Sequence, residues 1–275
     1  MALSNPPAGA GASGSSALET PRLVEAAGIK TDSMASDREN AARSSFLQTF
    51  RECPIRESEL LGNLGLFLNR QTLSRILFMH ELYQRILSVH GVVMEFGVRW
   101  GQNLALFETL RGIYEPYNYT RKIIGFDTFE GFPSVHAKDG AGAIMERGAY
   151  GVSEGYETYL SRVLDYHEQE SPLAHLRKYE LVKGDASLSI GKYLTDNSET
   201  IVALAYFDFD IYEPTKKCLE AIKDRLTKGS VVGFDELNNH RFPGETLAVM
   251  EVLGLSKYRI QRIPSNPAPS FIVIE

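Results

Sequence analysis

Cysteine is scarce, with only Cys53 and Cys218 in 275 residues. So few exclude a disulfide framework or a thiolate metal site, and both thiols are read as reduced packing residues. Positive charge is short as well, since 29 Lys plus Arg against 35 Asp plus Glu leave a formal net charge of −6. A binder of phosphate backbones carries the opposite excess, so no nucleic-acid partner is expected. The longest apolar run, 201–207, falls far short of the ~20 residues that a membrane helix needs. With no basic-then-apolar pattern at the N-terminus, a soluble cytoplasmic protein without membrane contact is expected. Aromatic residues are missing before Phe46, and residues 1–19 are largely Ala, Gly, Ser and Pro. Such a stretch cannot bury enough apolar surface to offset its ordering entropy, so residues 1–42 are expected to be a disordered tail.

The rest of the chain is globular in composition, at 43% hydrophobic and 23% charged residues. Residues 43–90 show helical spacing, and Leu73, Ile76, Leu77, Met79, Leu82, Tyr83 and Ile86 form a broad apolar stripe over 71–87. This is a helical region that packs on the main fold. Residues 91–275 alternate strand and helix: β-rich runs at 92–96, 122–127, 179–183, 201–209 and 230–234 are separated or followed by helical patterns at 102–111, 188–194, 214–226 and 243–253. Pro214 and Pro243 suit a first helical turn. An insertion at 133–171 begins in a glycine-rich loop and ends in a helix marked by Tyr156, Tyr159, Leu160, Val163, Leu164 and His167. Alternation of this kind implies a doubly wound, Rossmann-like α/β fold with a mostly parallel sheet. Two last strands, 258–263 and 270–274, are parted only by a proline-rich turn and should close the sheet as an antiparallel hairpin.

Ligands of doubly wound sheets bind beyond the carboxyl ends of the strands. Acids gather there: Glu95, Asp127, Asp185, Asp208, Asp210, Asp235 and Glu236. Loop acids and helix caps are the other reading of any one of them. The first loop, Glu95 to Gly101, has glycines but lacks the Gly-x-Gly-x-x-Gly spacing, which counts against a dinucleotide. A cofactor with a cationic amine, a sulfonium and a ribose needs acceptors, which Glu95 and Asp127 would supply. Asp208, Asp210 and Asp235, from two neighbouring strand ends, form a hard-oxygen set suited to Mg²⁺ and not zinc. An acidic rim balanced by nearby Lys and Arg is the alternative.

Together, Glu95 to Gly101, the segment Gly125-Phe126-Asp127-Thr128-Phe129-Glu130-Gly131-Phe132-Pro133, Gly184-Asp185, Asp208 to Thr215 and Pro243-Gly244 resemble the macrocin O-methyltransferase family. The resemblance runs from about Gly91 to Glu275, and a parallel sheet finished by an antiparallel hairpin agrees with it. It implies S-adenosylmethionine as donor, Mg²⁺ or Mn²⁺, a hydroxyl of a glycosylated small-molecule natural product as acceptor, and a homo-oligomer. Carried over by motif, Glu95, Gly97, Val98 and Gly101 would line the methionine end, Phe126, Asp127 and Thr128 the ribose, and Asp185 and Ala186 the adenine. Asp208, Asp235 and Glu236 would be metal ligands, with Asp208 also touching the cofactor and Asp210 the general base. The family has two aspartates where this chain has Asp235-Glu236, which makes Glu236 the least certain ligand.

Two rivals remain at this level. Asp208-x-Asp210 also resembles the acidic pair of a metal-dependent glycosyltransferase, and the fold could serve as a binding protein without turnover. His240 follows the acid pair but reads as a solvated loop residue, and the aromatic stretch Tyr114 to Tyr119 is either a loop over the cofactor or a surface patch.

Overall fold

The computed structural model describes residues 22–275, so the first 21 residues of the expected tail lie outside it. The remainder of that tail differs from the expectation. Strands β1 (Arg22–Ala26) and β2 (Ile29–Ser33) pair antiparallel about Ala27 and Gly28, both at positive φ as a two-residue hairpin turn requires. Composition gives this hairpin no core, and none of its strand residues is fully buried. Distant partners order it instead: Tyr150 N–H donates to Lys30 O at 2.9 Å, Lys30 Nζ pairs with Glu146 at 2.6 Å, and Asp32 pairs with Arg241.

Helix α1 (Asp37–Arg51) opens on a capping box formed by Ser36 and Glu39. It is followed by α2 (Glu57–Leu60), a 3₁₀ segment at Leu61–Phe67, and α3 (Arg70–Arg85), which Asn69 caps. Helix α3 buries Met79, Leu82 and Tyr83 of the expected stripe together with Phe78, which lies outside it, whereas Leu73 and Leu77 stay exposed.

The sheet begins with β3 (Val92–Phe96) and continues through α4 (Gln102–Tyr114), β4 (Ile123–Asp127), α5 (Tyr156–Glu170), β5 (Tyr179–Lys183), α6 (Ala186–Asp196), β6 (Val202–Phe207), α7 (Tyr212–Ile222), β7 (Leu226–Phe234) and α8 (Pro243–Val252). Strands β8 (Gln261–Ile263) and β9 (Asn266–Val273) finish the chain. The seven strands lie in the order β5-β4-β3-β6-β7-β9-β8, parallel except for β9 against β7 and β8. Strand β9 starts earlier than the sequence suggests and contains Pro267 and Pro269; its register pairs are Asn266 and 270–273, so neither proline is asked for a ladder bond. One core joins α3, α4 and α5 to one face, and a second joins α6, α7 and α8 to the other. Both faces are covered, which is why β6 reads as an unbroken apolar run. Chain order reverses between β3 and β6, and this is where the acids lie. Among the described residues, no helix is long and apolar enough to cross a membrane.

Candidate active site

Four phenylalanines build the floor of the site. Phe126, Phe96, Phe207 and Phe234 stand in register on β4, β3, β6 and β7 and stack ring on ring, with centroids 5.1, 4.7 and 5.4 Å apart. Each is the last residue before a rim position: Asp127, Gly97, Asp208 and Asp235 follow directly. Ladder bonds continue one step onto the rim, with Asp208 N–H donating to Phe96 O at 2.8 Å and Asp235 N–H to Phe207 O at 3.0 Å. A Cβ on Gly97 would lie 2.1 Å from Asp208 O, so glycine is what lets these two strand ends approach.

Above the ladder lies a cleft of about 380 Å³. Gly97, Val98, Gly101, Asp127, Thr128, Asp185, Ala186, Asp208, Asp210, Asp235 and Glu236 all line it. Glu95 and Phe126 do not. Phe126 is sealed in the ladder, with Tyr193 edge-on at 5.5 Å. Glu95 lies beneath the cleft floor, fully buried, with Oε1 accepting from Asn103 Nδ2 at 2.8 Å and Oε2 without a hydrogen-bond partner among the described residues. Burial holds its carboxyl well above the usual range. An orphaned buried carboxylate oxygen beside the first loop fits the ammonium group of S-adenosylmethionine.

Asp127 is held by the backbone, its Oδ2 accepting from Arg99 N–H at 2.7 Å and its Oδ1 from Phe129 N–H at 2.5 Å. Burial raises its carboxyl against those donors. Each oxygen keeps a second lone pair for a ribose hydroxyl. Asp185 is a helix cap, accepting from Ser187 N–H at 2.8 Å at the start of α6, and it also lines the cleft.

The acid cluster meets a cation from outside the sheet. Arg75 of α3 pairs through Nη2 with Asp208 and stands 3.6 Å from Asp235 Oδ1 through Nη1. Asp235 Oδ1 also accepts from Tyr206 Oη at 2.6 Å. Burial and the charge of Asp235 push Asp208 up to about 7 against the pull of Arg75. The same two causes lift Glu236 to about 7, while Asn239 opposes. Asp210 sits at φ 62, a left-handed conformation that Asp tolerates better than most residues. Burial, then Asp208, Glu236 and Asp235, hold its carboxyl well above the ordinary range.

The expected metal set is therefore not assembled. Among the described residues no group of three or more His, Cys, Asp or Glu stands where it would hold a metal ion, and the Arg75 guanidinium bridges Asp208 and Asp235 instead. The chemistry of the donors still fits a hard divalent cation: all are carboxylates, and mutual repulsion contributes to the raised pKa of Asp208, Asp210 and Glu236.

Sequence reasoning missed Arg75 and Glu245. Glu245 of α8 is fully buried and accepts from Phe209 N–H at 3.3 Å and Glu236 N–H at 3.0 Å, tying the loops after β6 and β7 together. A signal existed for both. Arg75 precedes buried Phe78 and Met79 by three and four residues, and Glu245 precedes buried Ala248 and Val249 likewise, so each charge lies on an apolar helix face. His240 lines a separate cavity of about 210 Å³ with Asp32 and Arg241, and Tyr117 and Tyr119 are exposed away from the cleft.

This strand order, with acceptors along the switch-point rim, defines a Rossmann-like methyltransferase. No family model matches the chain, and no curated protein matches it significantly. Among solved structures it is similar to CalS11, calicheamicin methyltransferase, at 45% identity and a TM-score of 0.85, over 87% of this chain and 93% of that one. An apo structure of CalS11, described as a TDP-rhamnose 3'-O-methyltransferase of calicheamicin biosynthesis, matches at 42% identity and a TM-score of 0.77, over 87% and 95%. The O-methyltransferase NovP, at 18% identity and a TM-score of 0.56 over 73% and 79%, shares the fold. The chain belongs to the macrocin O-methyltransferase family, and it is an S-adenosylmethionine-dependent O-methyltransferase.

Proposed function

We propose that the chain methylates a hydroxyl of a deoxysugar carried on a larger molecule, within the biosynthesis of a glycosylated natural product. The observation that carries this reading is the 45% identity to CalS11 over 87% of the chain. Because the apo CalS11 structure is that of a TDP-rhamnose 3'-O-methyltransferase, a nucleotide-linked sugar joins the finished glycoside as a candidate acceptor. The glycosyltransferase reading of Asp208-x-Asp210 gains no support from these neighbours.

S-adenosylmethionine supplies the methyl on a sulfonium, which leaves as a neutral thioether. Glu95 would hold its ammonium group, with Gly97, Val98 and Gly101 along the methionine end, Asp127 and Thr128 at the ribose, and Asp185 and Ala186 at the adenine. Phe126, stacked in the ladder below and outside the cleft lining, would support this arrangement by packing. Asp210 would take the proton of the acceptor hydroxyl, a role suited to a carboxylate whose proton affinity its neighbours raise. Mg²⁺ or Mn²⁺ would be held by Asp208, Asp235 and Glu236, where it would acidify and orient that hydroxyl. The expected homo-oligomer is supported by α1, which buries none of its residues and exposes Phe46, Leu47 and Phe50 beside exposed Leu61, Leu64 and Leu66.

The test is methyl transfer from labelled S-adenosylmethionine to a panel of nucleoside-diphosphate deoxysugars, glycosylated small molecules and plain phenols. Product on a sugar hydroxyl is expected. Transfer confined to phenols would overturn the reading.

A further inference from the structure

We infer that Arg75 is a displaceable counter-cation of the acidic rim, its guanidinium paired with Asp208 and Asp235, two of the carboxylates that would hold a divalent ion. This rests on the proposed cation. The arginines of this protein that pair with acids in its interior and cleft are held in two different ways.

Arg121 is a fixed arginine. Its side chain is 2% exposed, and it donates to the carbonyls of Gly91, Ile86 and Val89 as well as to Glu115. Arg111 is 1% exposed and is fixed by Lys178 O at 2.9 Å together with Glu168. Backbone carbonyls lock both guanidinium groups to the fold whatever the charge of their carboxylate partners. Among the described residues Arg75 has no such anchor. Its contacts are Asp208, Asp235 at 3.6 Å, and Asn103 Oδ1 at 3.4 Å, and its side chain is 32% exposed along the cleft wall. It is held almost wholly by the charge of two carboxylates, on a side chain with solvent to withdraw into. Arg75 and, less directly, Arg99 face the four carboxyls of Asp208, Asp210, Asp235 and Glu236, so the rim stays under-neutralised with Arg75 in place. A doubly charged ion would meet that deficit better, and it would compete with Arg75 for Asp208 and Asp235. Arg75 thus keeps the rim folded before the ion arrives and weakens the ion's apparent affinity by the stability of the pair it must break. A guanidinium-bound arrangement populated about nine-tenths of the time lowers apparent affinity about tenfold.

Mn²⁺ binding to the full chain, followed by the paramagnetic resonance of free Mn²⁺, tests this in wild type, Arg75→Gln and Arg75→Lys, without turnover. The Gln variant is expected to bind Mn²⁺ about tenfold tighter and to gain more in Tm on Mn²⁺ addition than wild type, with the Lys variant between them. In wild type, the ¹⁵N side-chain resonance of Arg75 should move to the position of a solvated arginine when Mg²⁺ is added, a measurement that survives poor folding of the Gln variant. If wild type binds Mn²⁺ but Arg75→Gln binds it no tighter, or the resonance does not move, the displacement is overturned and the cation reading stands. If neither protein binds Mn²⁺, the cation reading itself fails and Arg75 is a permanent counter-charge.

Discussion

A carboxylate's role is decided by what already claims its oxygens, and Asp208 and Asp210 differ in this respect. Arg75 pairs with Asp208, which ties it to charge balance and cation binding, whereas Asp210 makes no ion pair among the described residues and is held at positive φ. Asp210→Asn should therefore keep S-adenosylmethionine affinity and cation affinity near wild type and lower kcat by about 10² to 10⁴. Asp208→Asn should shift the cation titration. Calorimetry and initial rates on both variants check the split, and a reversed pattern would exchange the two roles. Most rim residues were legible because a parallel strand ends where its apolar run ends. Glu95 and Phe126 differ from the other rim residues for one reason: both lie inside their strands, so the pleat directs them into the packed layers. Glu95 goes toward Asn103 of α4 and Phe126 into the stacked ladder.

Between elements, single buried acids carry what periodicity cannot show. Glu245 gives acceptors to the backbone of Phe209 and Glu236, so it sets the spacing of the loops bearing Asp208, Asp210 and Asp235. Glu245→Ala leaves two N–H groups without their acceptor, at about 1–3 kcal/mol for each that stays buried and unsatisfied. A lowered Tm and a lowered kcat are expected together, with Glu245→Gln intermediate, because its single amide oxygen replaces one of the two acceptors and its NH2 group faces the other N–H. Within α4, Glu108 is 2% exposed with neither carboxyl oxygen hydrogen-bonded among the described residues, and burial pushes it up to about 8. The carboxyl of the unfolded chain titrates near the ordinary glutamate value of 4.5. Between those two values the folded state holds a proton that the unfolded state has released, so this residue's contribution to stability falls as pH rises from about 4.5 to about 8. Glu108→Gln cannot ionise, so its Tm advantage over wild type should grow from pH 5 to pH 8.5, on the order of a few kcal/mol in stability. An advantage that stays constant across that range would show the carboxylate to be ionised and compensated.

At the scale of the molecule, the alternation of strand and helix made the sheet legible, while the hairpin β1-β2 was not. Its order comes from partners more than a hundred residues away, and a composition that lacks a core says nothing about such partners. Those partners are the insertion, through Glu146 and Tyr150, and the loop after β7, through Arg241. Tyr150 lines the cleft, and Arg99 lies over its ring at 5.1 Å, so the hairpin braces one wall of the site without entering the core. Removal of residues 1–33 should then separate stability from function. The ion pairs lost are partly exposed and contribute about 0–1 kcal/mol each, which places the fall in Tm at a few degrees. Asp127, Glu95 and Asp185 are untouched, so S-adenosylmethionine affinity should match wild type. The wall carrying Tyr150 loses its bond to Lys30 O, so the KM for the sugar acceptor should rise severalfold while that for the donor stays put. Calorimetric titration with the cofactor and rates against acceptor concentration read the two effects independently. Loss of cofactor binding in the truncated chain would mean that the hairpin supports the whole rim, and an unchanged acceptor KM would mean that the wall holds without it.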